Sequence, residues 1–445
     1  MTSSEEKVTA EGLVRAIGRW SLVALTINSI LGSGIFGLPS QVASLLGRQS
    51  LWAVPLAGGA MGIIILCYAE VSSQFAQTGG TYIYCREAFG RLTGLQVGWM
   101  MMLSRLTACA ANANLLVIYL GTFWPQTARP ASRFTIITVL LAALLGVNYR
   151  GVRSGALVSN LFVVAKLIPL GIVCLAGGFY LLTHSATRWP ALQAGTGTWR
   201  TAMILLFFAY GGYEAAMNPL GEARNPKRDA PFALLSALAF ITLIYTVIQW
   251  TVVGILPAAS TSERPLADVA RIVMGPGGAV LVAVGALVSV SGYLSANFLT
   301  GPRTTFAFAE QGDFPRLFAA VHREFRTPHV SIVVFAALCW GLALLGGFTW
   351  NVTLSAVARL FYYGAVCAAV PVLRHKQPKA AWFRLPAGTI FAVLGVLICL
   401  VLLSGVDFSK SLILLATIFV AFLNWLAARK SNAGVVTPAS FPQKS

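Results

Sequence analysis

Four ionisable side chains lie inside long apolar stretches of this 445-residue sequence, at Arg105, Lys166, Glu214 and Arg359. A charge at the centre of a bilayer costs at least about 2.5–3.5 kcal/mol, so such residues are usually functional. Buried lysine can lose its proton, whereas arginine keeps its charge. The set therefore predicts proton transfer or recognition of charged groups at membrane depth.

Two interpretations of Lys166 are open. It is either a proton switch whose charge follows the open side of the membrane, or a fixed lysine that bonds carbonyl groups of an unwound helix. Glu214 could bind a cationic group or orient its own helix, and the alternative is a structural ion pair with Arg105 or Lys166. For Arg359 we expect a structural or gating role, and a role in the site is the alternative.

Arg105 and Asn112 are seven residues apart and therefore share one helix face. Arg105 must be paired or face water, because it cannot shed its proton. A polar stripe within a membrane helix faces the protein interior. It serves substrate contact or helix–helix bonding, and the sequence favours neither.

Two apolar stretches are interrupted by residues that disfavour helix. The first contains Gly32–Gly34 with Pro39, and the second contains Gly211 and Gly212 with Pro219. Each glycine costs about 1 kcal/mol relative to alanine, and each proline about 3 kcal/mol. Irregular backbone at membrane depth is tolerated only where it is buried in protein or lines a cavity. Close helix packing is the alternative explanation of the glycines.

An interrupted membrane helix leaves backbone groups unpaired. The helix that restarts after the break offers N–H groups and a positive dipole end, which suit a carboxylate. The carbonyl groups that are freed before the break suit an ammonium group. A zwitterionic amino acid carries both groups, so two breaks at matching places predict a binding site of the kind that transporters have.

The elements that position these residues are membrane helices by composition. The chain is 57% hydrophobic and 10% charged, with a mean hydropathy of +0.75. A soluble domain carries about 25% charged residues, so a cytosolic enzyme and a secreted disulfide scaffold are excluded. Long apolar runs also exclude a transmembrane β-barrel. Twelve spans are predicted, at 20–46, 52–74, 95–124, 133–148, 155–182, 200–219, 231–256, 277–302, 329–347, 351–373, 386–404 and 410–428.

The predicted architecture is an all-α polytopic membrane protein with two five-helix repeats. We divide the chain into a cytoplasmic tail at 1–18, repeats at 19–183 and 199–373, two further spans at 384–428, and a cytoplasmic tail at 429–445. Because five spans per repeat is an odd number, the second repeat lies inverted in the membrane, with the broken spans 1 and 6 at matching places.

Positive charge sets the predicted orientation. The net charge is +18, which in a soluble protein would suggest nucleic acid, but membrane topology explains it better, and no nucleic acid is expected as a partner. With the N-terminus inside, twenty Lys and Arg residues fall in inside segments, eight fall outside and four lie within spans. Both termini are therefore expected in the cytoplasm, with the chain in the cell membrane (the inner membrane in a bacterium).

Four fragments in this order resemble the amino acid–polyamine–organocation (APC) superfamily of transporters, and the likeness extends over most of the chain. They are GSGIF in span 1, YAEVSSQFAQTGGTYIYCREAFG from the end of span 2 toward span 3, FFAYGGYEAAMNPLGEARNPKRDAP through span 6 and its loop, and GPRTTFAFAEQGDFPRLFAAVHREFRTPHVS after span 8. The resemblance to its amino acid permeases implies a LeuT-type fold with inverted repeats, alternating access, and amino acid or amine cargo.

The resemblance also assigns roles to individual positions. Lys166 matches a lysine that takes the place of a sodium ion in many members, where it serves proton coupling or holds helices together. Glu214 matches a position that is frequently acidic, and Phe208 matches an aromatic gate. The residues implied to surround the substrate are Gly32, Ser33, Gly34, Ile35, Phe208, Ala209, Tyr210, Gly211 and Glu214.

Motifs for other chemistry are missing. The sequence contains no P-loop, no GxSxG elbow and no HExxH motif, and its four histidines fall in or beside loops. We therefore expect no cofactor, no metal and no enzyme activity. The leading hypothesis is proton-coupled symport of a neutral amino acid. Sodium-independent exchange of amino acids or amines is the alternative, and a membrane sensor or membrane enzyme is an alternative of another class. The oligomeric state is not predictable from these residues.

Overall fold

Helices account for nearly all regular structure in the computed structural model, which describes residues 17–76, 79–151, 156–184, 198–256, 259–378 and 380–432. Within these ranges, the β-structure is limited to one backbone bridge between Ile17 and Ala223. The helices are α1 (Arg19–Ile30), α2 (Ser33–Leu46), α3 (Ser50–Ser72), α4 (Gly80–Phe89), α5 (Arg91–Leu120), α6 (Pro130–Arg150), α7 (Ala156–Thr183), α8 (Trp199–Tyr210), α9 (Tyr213–Ala216), α10 (Pro226–Ile255), α11 (Pro265–Glu310), α12 (His329–Leu345), α13 (Phe348–Lys376), α14 (Gly388–Leu403) and α15 (Phe408–Asn432). The all-α prediction is confirmed, while most of the two predicted tails, 1–18 and 429–445, lies outside the described residues.

Eight helical segments are long and apolar enough to cross a membrane. They are Ser33–Ser72, Arg91–Leu120, Pro130–Arg150, Lys166–Thr183, Pro226–Ile255, Pro265–Glu310, Phe348–Lys376 and Phe408–Ala427. Two shorter apolar helices, His329–Leu345 and Gly388–Leu403, accompany them. The described part of the chain therefore has the helices of a polytopic membrane protein.

Burial separates central helices from peripheral ones. In the most apolar 18-residue window, 72% of the α5 residues and 67% of the α13 residues are buried, against 11% for α6 and 22% for α15. α13 contacts α3, α5 and α8, and α5 also contacts α11. Arg359 of α13 is therefore buried in protein at 5% exposure, while α6 and α15 turn apolar side chains outward.

Both predicted helix breaks occur in the structure. α1 ends at Ile30, and α2 restarts at Ser33 after an extended Leu31 and a Gly32 that is neither helical nor extended. α8 ends at Tyr210, and α9 restarts at Tyr213 after a left-handed Gly212 with φ of 117°. α9 has only four residues, because a 3-10 turn at Asn218–Glu222 containing Pro219 follows it.

Candidate functional site

The two helix breaks lie against each other. A Cβ added at Gly212 would lie 2.2 Å from the carbonyl oxygen of Ser29, and a Cβ added at Gly34 would lie 2.9 Å from the Cα of Ala209. Glycine is required at 212 both by the positive φ and by this approach. These glycines therefore both interrupt their helices and allow the two breaks to pack closely, so the two explanations are compatible.

Lys166 caps the end of α1. Its Nζ donates to the carbonyl oxygens of Asn28 and Leu31, both at 2.8 Å, and the residue is only 4% exposed. The helix ends at Ile30, so these carbonyls have no helical N–H to accept from. The ammonium group replaces the bonds that the break removes, as in the second of the two interpretations of this lysine.

Glu214 sits just after the second break and is 7% exposed. Its Oε2 accepts from the backbone N–H of Gly212 at 2.9 Å and from the Tyr363 hydroxyl at 3.0 Å. Its Oε1 accepts from the Tyr362 hydroxyl at 2.8 Å. The carboxylate thereby links the break to α13 through the two tyrosine hydrogen bonds, while the third bond, from Gly212, lies within the break itself.

The charge partner of Glu214 is Arg359, and the alternative pairing with Arg105 or Lys166 was wrong. Arg359 Nε lies 3.7 Å from Glu214 Oε1, and both side chains are more than nine-tenths buried. Arg359 also donates from Nε to Ser104 Oγ at 3.1 Å and from Nη1 to the Phe208 carbonyl at 3.2 Å. α13 thus brings a cation to the centre of the site.

A cavity of about 10 Å³ lies between the breaks, with room for about one water molecule. The site is therefore closed in this structure. Within the described residues, Ser33 Oγ and Asn112 Oδ1 are buried without hydrogen-bond partners, and both residues line the cavity. Ten residues form its wall: Ser29, Ile30, Gly32, Ser33, Gly34, Asn112, Phe208, Gly211, Tyr293 and Arg359.

Some of the predicted residues lie away from this wall. Ile35 is buried in the core. The backbone of Ala209 packs against Gly34, and its carbonyl accepts from Tyr245 at 3.0 Å. The Tyr210 hydroxyl donates to the Val54 carbonyl at 3.0 Å, toward α3. Lys166 and Glu214 form hydrogen bonds with the interrupted backbone and do not line the cavity.

Arg105 also lies off the cavity wall. Its Nη1 donates to Thr304 Oγ1 on α11 at 3.1 Å, and the side chain is half-buried. Of the stripe that Arg105 and Asn112 were predicted to share, only Asn112 lines the cavity. The seven-residue spacing did not place both side chains at one site.

Sequence reasoning missed Ser29, Ile30 and Tyr293 as cavity residues, and for Arg359 it favoured a structural or gating role over a role in the site. A signal existed for Arg359, since it is an intramembrane cation in the repeat counterpart of span 5. No sequence signal marked Tyr293, because a tyrosine in an apolar helix is ordinarily a core residue.

Comparison with known proteins identifies the relatives of the chain. A family model described as amino acid permease matches residues 17–425. The methylthioribose transporter of Bacillus subtilis (strain 168) is 28% identical over 414 residues, which cover 88% of each chain. The serine/threonine exchanger SteT of the same organism is 28% identical over 380 residues, covering 82% of this chain and 84% of its own.

A third relative is the branched-chain amino acid permease BcaP of Bacillus subtilis, which is 26% identical over 442 residues, covering 94% of this chain and 91% of its own. The family and these relatives are transporters and not enzymes, as the sequence predicted, and the apolar helices make the chain an integral membrane protein. The resemblance to APC permeases is confirmed: the chain belongs to the amino acid permease family.

Proposed function

We propose that this protein is a secondary active transporter that moves a neutral amino acid across the cell membrane by alternating access. Membership of the amino acid permease family supports the class of cargo. The cavity between the two breaks supports the location of the site. The closed cavity has no room for an amino acid, so binding requires the helices around it to move.

The proposed topology is twelve spans in two inverted five-helix repeats plus two further helices. The eight long spans, the two shorter apolar helices and the two broken helices add up to this number, with Ser33–Ser72 supplying span 2 and part of span 1. The excess of inside over outside cations, twenty against eight, supports cytoplasmic termini.

The proposed binding mode uses the backbone of the first break. The N–H groups at the start of α2, from Gly32 to Gly34, would bind the substrate carboxylate at the positive end of the helix. Ser33 Oγ and Asn112 Oδ1, which lack partners within the described chain, would complete the polar contacts. Phe208 would cover the bound substrate from α8.

Proton coupling is assigned to Lys166, and its two hydrogen bonds to Asn28 and Leu31 are the observation that carries this proposal. A charged ammonium stabilises the carbonyls at the end of α1. When α1 moves and these bonds break, the buried charge loses its partners and the proton is released more readily. The charge of Lys166 would therefore follow the position of α1.

Exchange without a coupling proton is the second candidate. The observation that favours it is the near-complete burial of Lys166 against two carbonyls, which also suits a permanently charged brace. One of the relatives is a serine/threonine exchanger. In an exchanger Lys166 would be needed for the structure of the break and not for energy coupling.

Uptake into proteoliposomes tests both candidates. Labelled amino acids would be offered with an inward proton gradient, without one, and to vesicles preloaded with unlabelled substrate. Lys166→Ala would be measured beside Lys410→Ala, a control lysine next to Asp407 and outside the site. For symport, we expect gradient-dependent uptake that Lys166→Ala reduces at least tenfold and Lys410→Ala does not.

Two other outcomes would reject proton symport. Uptake that needs only preloading would make the protein an exchanger. Absence of flux for every amino acid and amine in the presence of folded protein would contradict transport of this cargo. A sensor would then be expected to bind a ligand without flux, and a membrane enzyme would release a changed product.

A further inference from the structure

The surroundings of the Arg359 guanidinium form a complete cation site. A carboxylate oxygen of Glu214 lies 3.7 Å away, the Ser104 hydroxyl and the Phe208 carbonyl accept from it, and its central carbon lies 5.3 Å from the centre of the Phe208 ring. Carboxylate, carbonyl, hydroxyl and aromatic face are the groups that bind a cationic substrate. The protein's own arginine occupies this place.

Gly211 makes room for the guanidinium. A Cβ at this position would lie 1.7 Å from Arg359 Nη1 and 2.7 Å from its central carbon. The side chain therefore enters the break of span 6 itself, where the cavity lies, and Gly211 and Arg359 both line that cavity. Arg359 therefore lines the cavity directly.

Glu214 cannot serve a second cation while Arg359 is present. Its oxygens already accept from Gly212, Tyr362 and Tyr363, and its negative charge is balanced by the arginine. Another positive group about 4 Å from the guanidinium would be repelled strongly in a buried environment. The balanced pair leaves the cavity without a net charge to attract basic cargo.

We propose that Arg359 sets the charge selectivity of this transporter, because its guanidinium occupies the place beside Glu214 where the positive group of a basic amino acid or amine would bind. The inference rests on the proposed function and adds the residue that excludes cargo with a second positive charge. Removal of the side chain should open a cation site lined by Glu214, Ser104 and Phe208.

Binding of agmatine, which carries a guanidinium group on a short chain, tests the inference directly. Purified wild type, Arg359→Ala and Arg359→Ala/Glu214→Gln would be titrated with agmatine and with lysine, using thermal stabilisation as the signal. We expect the single variant to bind agmatine at least tenfold more tightly than wild type, and the double variant to lose this gain. Arg303→Ala, an arginine outside the cavity wall, is the control and should behave as wild type.

Agmatine affinity that is equal in wild type and in folded Arg359→Ala would overturn the inference, as would a gain that survives in the double variant. If Arg359→Ala does not fold, competition against wild-type uptake decides. Tenfold excess lysine or agmatine should leave uptake of the best neutral amino acid unchanged, and inhibition as strong as that by unlabelled neutral cargo would reject the inference. Failure of the proposed function is a separate result, namely no amino acid flux in wild type.

Discussion

Glu214 illustrates how one buried carboxylate is stabilised at membrane depth. Isolated, its charge would be prohibitively costly to bury, but three donors and one arginine surround it. The sequence identified the residue, because it is the one acid inside a predicted span near a break. It did not identify the partner, since Arg359 is 145 positions away and pairing depends on which faces of α9 and α13 meet.

Replacing Glu214 with alanine should destabilise the protein strongly. The change leaves Arg359 as an uncompensated buried charge, and breaking a buried pair in this way costs about 3–5 kcal/mol. Glu214→Gln keeps one acceptor oxygen for these donors and fills the same volume, so it should cost less. Thermal unfolding of the purified variants measures this, with the exposed Glu310→Gln as control. An unfolding temperature of Glu214→Ala equal to that of the control would refute the assignment.

At the scale of elements, the breaks were predictable because their cause is local. Glycine and proline disfavour helix wherever they stand, so the interruptions at 31–32 and 211–212 could be placed to within a few residues. The approach of the two breaks was not predictable in this way. It depends on the left-handed backbone of Gly212 and on its distance from Ser29, which arise only when α1 and α9 pack.

Gly212→Ala should therefore lose both stability and transport. An alanine at φ of 117° is strained by about 1–3 kcal/mol, and its Cβ would collide with the Ser29 carbonyl oxygen. Gly341→Ala is the matched control, because a Cβ there meets nothing within 4 Å and lies within α12. The uptake rate and the unfolding temperature should both fall for Gly212→Ala. For Gly341→Ala, both should stay at or above the wild-type values. Equal values for both would show that the close approach is unimportant.

For the whole molecule, charge counting predicted a membrane protein but not which charges join the helices. Asp313, after α11, accepts from Tyr82 and forms ion pairs with Arg86 at 3.3 Å and Arg91 at 2.6 Å. The pKa of Tyr82 is raised above its ordinary value, mainly by burial and secondarily by the hydrogen bond to Asp313. The hydroxyl therefore stays protonated and acts as a donor. This cluster connects α4 and α5 to the end of α11 through contacts more than 200 residues apart in sequence.

A second such junction joins α3, α13 and the segment before α14. Glu70, fully buried, receives two hydrogen bonds from Arg374 at 2.6 and 2.7 Å and one from the backbone N–H of Leu385 at 3.0 Å. The two-pronged geometry is the strongest form of such a pair. Asp407 and Lys410 offer the contrast, since the Asp407 side chain is 70% exposed.

Glu70→Gln should consequently lower the unfolding temperature far more than Asp407→Asn. The first change leaves the partly exposed Arg374 without its fully buried counter-charge, so the cost should lie below the about 3–5 kcal/mol of a fully buried pair and above the about 0–1 kcal/mol that an exposed pair contributes. Adding Arg374→Met to Glu70→Gln should recover part of the loss, because the double change no longer leaves the charge of Arg374 without a partner. The unfolding temperatures of four proteins test this prediction: wild type, Glu70→Gln, Asp407→Asn and the double variant Glu70→Gln/Arg374→Met. If Glu70→Gln and Asp407→Asn unfold at the same temperature, this junction contributes no more to the stability of the helix bundle than an exposed ion pair does.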